Sequence, residues 1–331
     1  MSIYFDIDHF KSLAKLASHP LFKDCVAMLQ RNLDIYFLFK KIDLLKPDKK
    51  QVLDAVKMLI TEMQRNRGSQ KVVEIDSLPV FGQEKRSFED LTAIYMSHIP
   101  NGIESGVLHA EVGEEVNTLA QLFVDNRYIP TKQYSIPKMR DWSLIDKEAT
   151  SCSDIIIADR YLFAQTDIHY QVNAYNLIRS LCAKVKNSRI NITIFTLPQY
   201  PYTDSNGRTQ MASIDFDAII RSLTQQVEEI TCVKPKITIV KLPVREEHDR
   251  TIFTNYKLFN SGDSFKYFEE SANGVTLISK GRFLYVNSHI DRENLNNSKS
   301  FIEAMQDIIN DRKNGLASIK GDKESNFLSF P

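Results

Sequence analysis

Asp154-Ile155-Ile156-Ile157-Ala158 is the stretch whose reading decides the fold. Four apolar residues run together without alternation, the pattern of a strand buried on both faces. Outward from it, Val172, Leu177, Leu181 and Val185 mark one side of a helix over 172–185. Ile190-Asn191-Ile192-Thr193-Ile194-Phe195 reads as the next strand, 215–230 as a second helix and Ile237-Thr238-Ile239-Val240 as a third strand. Strands alternating with helices of this length predict βαβ units and a mixed, largely parallel sheet. Beyond Val240 the pattern tightens. Strands are predicted at 251–255, 256–259 and 275–286, with turn signals at Asn260-Ser261-Gly262 and Asn273-Gly274. A closing helix is predicted over 298–311, with Ser298 as N-cap. The residues after it are polar and are expected to fray.

The first half reads differently. Phe10, Leu13 and Leu16, then Leu29, Leu33, Tyr36 and Phe37, stand at helical spacing. A third helix is predicted after Pro47-Asp48, with Val52, Val56, Leu59 and Met63 on one face and Gly68 as its stop. A short strand at 72–75 and helices at 88–96 and 114–123 follow. Pro130, Pro137 and Trp142 mark an irregular segment. The fold class expected is α/β: a mainly helical N-terminal domain over 1–148, an α/β domain over 149–313, and a polar tail over 314–331.

With 331 residues, about 150 per domain gives two domains. The 42 basic and 42 acidic residues cancel, which argues against a general nucleic-acid coat, so any phosphate-binding surface has to be local. No apolar run approaches the roughly 18 residues of a membrane span, and the acidic start lacks the features of a signal peptide. Cys25, Cys152, Cys182 and Cys232 stand far apart without metal-ligand spacing, as expected of core thiols in a reducing cytoplasm.

Two motifs dissolve on inspection. Asp6-Ile7-Asp8-His9-Phe10 looks like the metal-binding strand end of diguanylate cyclases, but no GG[DE]EF loop follows, and acidic residues in a first helical turn explain it. Gly262-Asp263-Ser264 looks like an SGNH-esterase block, but it stands late in the chain and turn geometry accounts for it. Neither GxGxxG nor GxxxxGK[ST] occurs.

The segment with chemical content is Leu242 to Phe265, which opens directly after the third strand of the alternating region. Ligands of open α/β sheets bind outside the carboxyl ends of the strands. In an extended segment His248 and Arg250 point to one face. An imidazole beside a guanidinium suits a phosphoryl group: the first attacks or moves a proton, the second offers a bidentate fork. A solvated His-Asp-Arg cluster is the plainer alternative. From Lys234 to Lys257 six bases face three acids, and Arg160 and Tyr161 are expected on the same rim. Tyr202, Tyr256 and Phe259 are candidates for base stacking, with core packing as their plainer role.

The run Asp154 to Ala158 with Asp159-Arg160-Tyr161, the following helix, the strand ending in Thr196 and the His248-Asp249-Arg250 hairpin resembles a half-domain of the phospholipase D superfamily. It is most similar to the divergent His-Asp-Arg type found in the C-terminal domain of MIT-domain proteins and in bacterial relatives. The resemblance spans roughly 150 to 290. It implies a metal-independent phosphodiesterase or nuclease without cofactor. His248 stands at the nucleophile position, Arg250 where the family has Lys, and Ser261 and Ser264 near its Gly-Ser position. Arg160, Tyr161 and Asn255 complete the binding residues so implied. Active members pair two such histidines. This chain has one His-x-Arg, so catalysis requires a homo-oligomer. The family setting implies a role in bacterial conflict or phage defence. The alternative is a non-catalytic module that senses a phosphorylated ligand and docks a partner protein through its N-terminal helical domain. Membrane phosphoinositide recognition ranks below both, since no basic amphipathic helix is evident.

Overall fold

The computed structural model describes residues 1–40, 50–64, 70–78, 87–97, 107–164, 170–185, 188–203, 206–242, 250–311 and 319–331. The chain divides into two compact units. Met1–Pro130 with Ser288–Asn297 forms one, and Thr131–Asn287 with Ser298–Pro331 forms the other. The boundary expected at 148 therefore falls inside the second unit.

The first unit is α/β rather than mainly helical. Its five strands are β1 (Ser2–Phe5), β2 (Asp34–Phe37), β3 (Val72–Glu74), β4 (Ile94–Met96) and β5 (Leu108–His109). They form a parallel sheet in the order β3-β2-β1-β4-β5. Its helices are α1 (Ile7–Lys15), α2 (Phe22–Arg31), α3 (Lys50–Gln64), α4 (Phe88–Leu91) and α5 (Glu115–Ala120). Strands of two to four residues between helices give no clear period, so Tyr36 and Phe37 read as helix although they lie in β2. Likewise the helix predicted over 88–96 is α4 followed by strand β4. Tyr4, Tyr36 and Tyr95, in register on neighbouring strands, stack with centroids 5.0 and 5.2 Å apart on one sheet face. Phe5, Phe37 and Phe10 pack together as a second aromatic group. Asp6 is the N-cap of α1, accepting from the His9 amide at 2.9 Å and lying 2.8 Å from the His9 ring. That is the structural role expected for this motif, although the strand it follows, β1, was not anticipated.

The second unit contributes strands β6 (Thr131–Ser135), β7 (Asp154–Ala158), β8 (Asn191–Thr196), β9 (Gln199–Thr203), β10 (Thr209–Ser213), β11 (Lys236–Lys241), β12 (Arg250–Thr254), β13 (Lys257–Ser261), β14 (Phe268–Ser271), β15 (Gly274–Leu277), β16 (Phe283–Ser288) and β17 (Ile319–Gly321). Eight of them form a sheet in the order β17-β11-β8-β7-β12-β13-β16-β6. β11, β8 and β7 are parallel neighbours. The pairs β17–β11, β7–β12, β12–β13 and β16–β6 are antiparallel. The largely parallel sheet expected for this domain is thus a parallel core of three strands with antiparallel flanks, because hairpins replace helical crossovers after β11. The helices are α6 (Ser143–Glu148), α7 (Asn176–Leu181), which a π turn over Gln171–Tyr175 precedes, α8 (Phe216–Thr231) and, from Ser298 on, α9 (Arg292–Asp311). Asp215 caps α8 by accepting from the Ala218 amide.

Three more expectations change here. The irregular segment around Pro130–Trp142 contains β6 and leads into α6. α9 starts at Arg292, so Ser298 is a buried mid-helix residue and not an N-cap. The described part of the tail is built in: β17 pairs with β11, and Ser325 and Asn326 bond to Asp154. Cys25, Cys152 and Cys182 are buried thiols as expected, whereas Cys232 is exposed, ending α8 in the left-handed conformation. Among the described residues no helix is long and apolar enough to cross a membrane.

Candidate functional site at the carboxyl edge of the second sheet

β7, β8 and β11 run parallel, so their carboxyl ends, Ala158, Thr196 and Lys241, share one sheet edge. β12 runs the other way with Thr251 opposite Ala158, which puts its first residue, Arg250, at that edge. β13 returns with Ser261 opposite Arg250. Three crossings of the sheet therefore bring Arg160, Tyr161, Arg250, Ser261 and Ser264 together although they span a hundred positions of sequence. His248 lies outside the described residues.

Asp159 organises this edge. It follows β7 directly and is 1% exposed. Its carboxylate accepts from Ser264 Oγ at 2.8 and 2.9 Å, from the Phe265 amide at 2.7 Å and from the Tyr161 amide at 2.9 Å. Burial pushes its pKa up; these donors and the charge of Arg250 pull against that. The Ser264 hydroxyl is thus an anchor for the loop after β13. Ser261 belongs to the same scaffold: its Oγ accepts from Tyr267 OH at 2.6 Å and from the Asp263 amide at 3.1 Å. Asp263 in turn accepts from Ser279 Oγ at 2.7 Å and from the Lys280 and Gly281 amides. Burial acts to raise Asp263, but these donors and the Ser264 amide hold it below its ordinary value. Gly281 passes so close that a Cβ there would lie 2.9 Å from the Asp263 Cβ.

Three cations gather on this scaffold. Arg250 is half-buried, and its Nε is buried without a hydrogen-bond partner among the described residues. The Arg160 guanidinium lies 5.6 Å from the Tyr161 ring centre, and Lys266 Nζ approaches the same ring at 5.9 Å. Burial lowers the Lys266 pKa, while Asp159 and Asp263 oppose that. A groove of about 390 Å³ beside Lys266 is walled by Asp263, Ile278 and Lys280. Chemically, the edge offers guanidinium and ammonium donors on a rigid base, which suits a phosphate or another oxyanion. A larger groove of about 560 Å³ sets Arg140 and Arg179 against Asp141 and Asp146, and so has no such bias. Among the described residues no group of three His, Cys, Asp or Glu stands where it could hold a metal ion.

Asn255 is a correction. It lies in the turn between β12 and β13, at the amino end of β7. There its Oδ1 accepts from the Ser153 amide at 3.0 Å and the Asp154 amide at 3.1 Å. It ties strands together and is not among the residues of the carboxyl edge. Tyr256 and Phe259 are core side chains, 0% and 1% exposed, whereas Tyr202 is 45% exposed. Sequence reasoning did not nominate Asp159 or Lys266. An acidic residue directly after a buried strand was a usable signal for the first. Lys266 had none, because the turn after β13 brings it in. No family model matches this chain, and no curated protein shows significant similarity to it.

Proposed function

We propose that the second unit engages a phosphodiester, as part of a nucleic acid, at the carboxyl edge of β7, β8 and β11. The observation that carries this reading is the approach of Arg160 and Lys266 to the Tyr161 ring at the edge where Arg250 faces Asp159, with the buried Nε of Arg250 lacking a partner among the described residues. A buried guanidinium donor without an acceptor is costly, and an oxyanion supplies the acceptor. The His-x-Arg resemblance to phospholipase D-like domains points the same way.

In its catalytic form the reading gives His248 the covalent step. An imidazole nitrogen bonds to phosphorus as the P–O bond to the leaving group breaks, and the leaving oxygen takes a proton from the second His248 of a homodimer. Water then releases the phosphoryl group from the histidine. In its non-catalytic form the same cations hold the ligand without cleavage, which a single His-x-Arg per chain favours.

The test is turnover and binding of labelled single- and double-stranded DNA, RNA and a phospholipid in EDTA, with His248→Ala and Arg250→Ala beside the wild type. Cleavage lost in His248→Ala supports the catalytic form. Binding that Arg250→Ala weakens, without cleavage, supports the other. Absence of both binding and cleavage overturns the proposal.

A further inference from the structure

We propose that the β9–β10 hairpin is a base-stacking arm that restricts the ligand to single-stranded nucleic acid, with Tyr202 as its contact residue. This rests on the phosphodiester reading of the adjoining edge and names its substrate class.

The root of the hairpin is fixed to that edge. Leu197, just after β8, donates its amide to the Arg160 carbonyl at 3.1 Å, and Thr196 Oγ1 donates to the same oxygen at 3.1 Å. β9 starts two residues later. The hairpin closes where the Ile214 amide donates to the Pro198 carbonyl at 3.2 Å, and Asp215 then caps α8. The arm therefore leaves the sheet beside Arg160 and returns to a capped helix, so its base cannot swing freely.

Its pairing leaves Tyr202 uncovered, while Tyr200 nearer the root is half-buried. The antiparallel register sets Tyr202 opposite Gln210 and Tyr200 opposite Ala212. Cross-strand partners share a face, so both tyrosines lie on one side, opposite residues that do not cover a ring. On the other side Pro201 faces Met211, which is 52% exposed. Among the described residues β9 and β10 pair only with each other. A two-stranded hairpin is marginal in water by itself, yet this one exposes a tyrosine and a methionine and buries little. Every nucleobase offers a flat face to an aromatic ring whatever its identity, and stacking of this kind beside a cationic track is how single strands are held without sequence preference. A duplex keeps its bases stacked inside and cannot use Tyr202. The β14–β15 hairpin is the contrast within the same unit. It exposes Glu269 and Glu270, which repel a phosphate chain.

The experiment measures fluorescence anisotropy of a labelled oligothymidylate, the same length of abasic strand, and the matched duplex. The proteins are wild type, Tyr202→Ala, Tyr202→Trp and Arg250→Ala. Tyr202→Ala is expected to weaken oligothymidylate binding about tenfold, Tyr202→Trp to retain it, and neither to alter binding of the abasic strand or the duplex. Tyr202 is a surface residue, so these variants are expected to fold as the wild type does. If Tyr202→Ala binds oligothymidylate like wild type while Arg250→Ala is weakened, the stacking arm is refuted and the phosphodiester reading stands. An equal loss on the abasic strand also refutes it. If the wild type binds none of the three, both readings fall together.

Discussion

Two aspartates at opposite ends of the same strand, Asp154 and Asp159, are equally buried, and their surroundings separate structure from function. Asp154, at the amino end of β7, accepts from Ser153 Oγ, Ser325 Oγ, the Asn326 amide and Asn326 Nδ2 at 2.7–2.8 Å. All these donors are neutral and local to the fold. Its neighbours are equally closed: Asn255 satisfies two strand amides, and Lys257 Nζ meets Glu148 at 2.8 Å, both nearly fully buried, with Tyr134 OH on the other carboxylate oxygen. Asp159, at the carboxyl end, also collects neutral donors, but it anchors a rim of cations in which the buried Arg250 Nε has no partner among the described residues. A closed network fixes the fold. The open one is where the proposal above puts its ligand. Burial raises the pKa of both carboxyls, so titration alone would not tell them apart.

The difference can be broken by substitution at either end. The largest effect belongs to the amino end. Lys257→Met removes the ion-pair partner of the buried Glu148 and should lower unfolding free energy in urea by about 3–5 kcal/mol, with the double variant Lys257→Met/Glu148→Leu recovering most of it. Burial depresses Lys257 to about 8 although Glu148 opposes that. Between about pH 8 and its ordinary value of 10.5 the unfolded chain binds more protons than the folded one, so stability should rise with pH across that window and be level below about pH 8, where both states hold the proton. Lys257→Met should abolish that rise.

Next comes Asn255→Ala. It orphans the Ser153 and Asp154 amides, at about 1–3 kcal/mol for each, and should leave oligonucleotide affinity unchanged. A loss of affinity at unchanged stability would place Asn255 with the ligand after all. Arg250→Ala should do the reverse: oligonucleotide affinity falls by about 1.5–3 kcal/mol and the salt slope by about one, with the urea midpoint unmoved. A shift of the midpoint without a change in affinity would make the carboxyl edge as structural as the amino one.

The smallest effect is that of pH on binding. As pH rises through the raised pKa of Asp159, a negative charge appears facing Arg250 and Lys266, and anion affinity should fall about threefold. Asp159→Asn should flatten that profile when phosphate or oligonucleotide binding is titrated from acid to neutral pH.

Legibility followed the length of the signal. α3, α8, β7, β8 and β11 were read near their true bounds, since long amphipathic runs and continuous apolar runs have few alternative readings. Of the first sheet β3 was read, at 72–75, and the other strands were missed because they are two to four residues long and sit among helix-compatible residues. The β9–β10 hairpin was missed because Gln199–Ser213 has neither an apolar run nor clean alternation. The shared edge of Arg160, Tyr161 and Arg250 was anticipated from the βαβ pattern, and Ser261 and Ser264 were nominated for ligand contact, although both hydroxyls hold the scaffold. Asn255 was placed wrongly because sequence proximity to Arg250 says nothing about which end of a five-residue strand a side chain occupies.

By itself, then, the sequence determined the α/β class, the buried central strands and the His-x-Arg spacing, since each depends on residues within a few positions of one another. Tertiary structure alone decided that Asp159, Arg250 and Lys266 meet, that Asp154 holds the C-terminal segment, and that strands after β11 reverse direction. Those outcomes depend on strand order and register. These are set by which apolar faces bury together across the whole unit, and a one-residue slip in register would exchange inward for outward side chains along a strand.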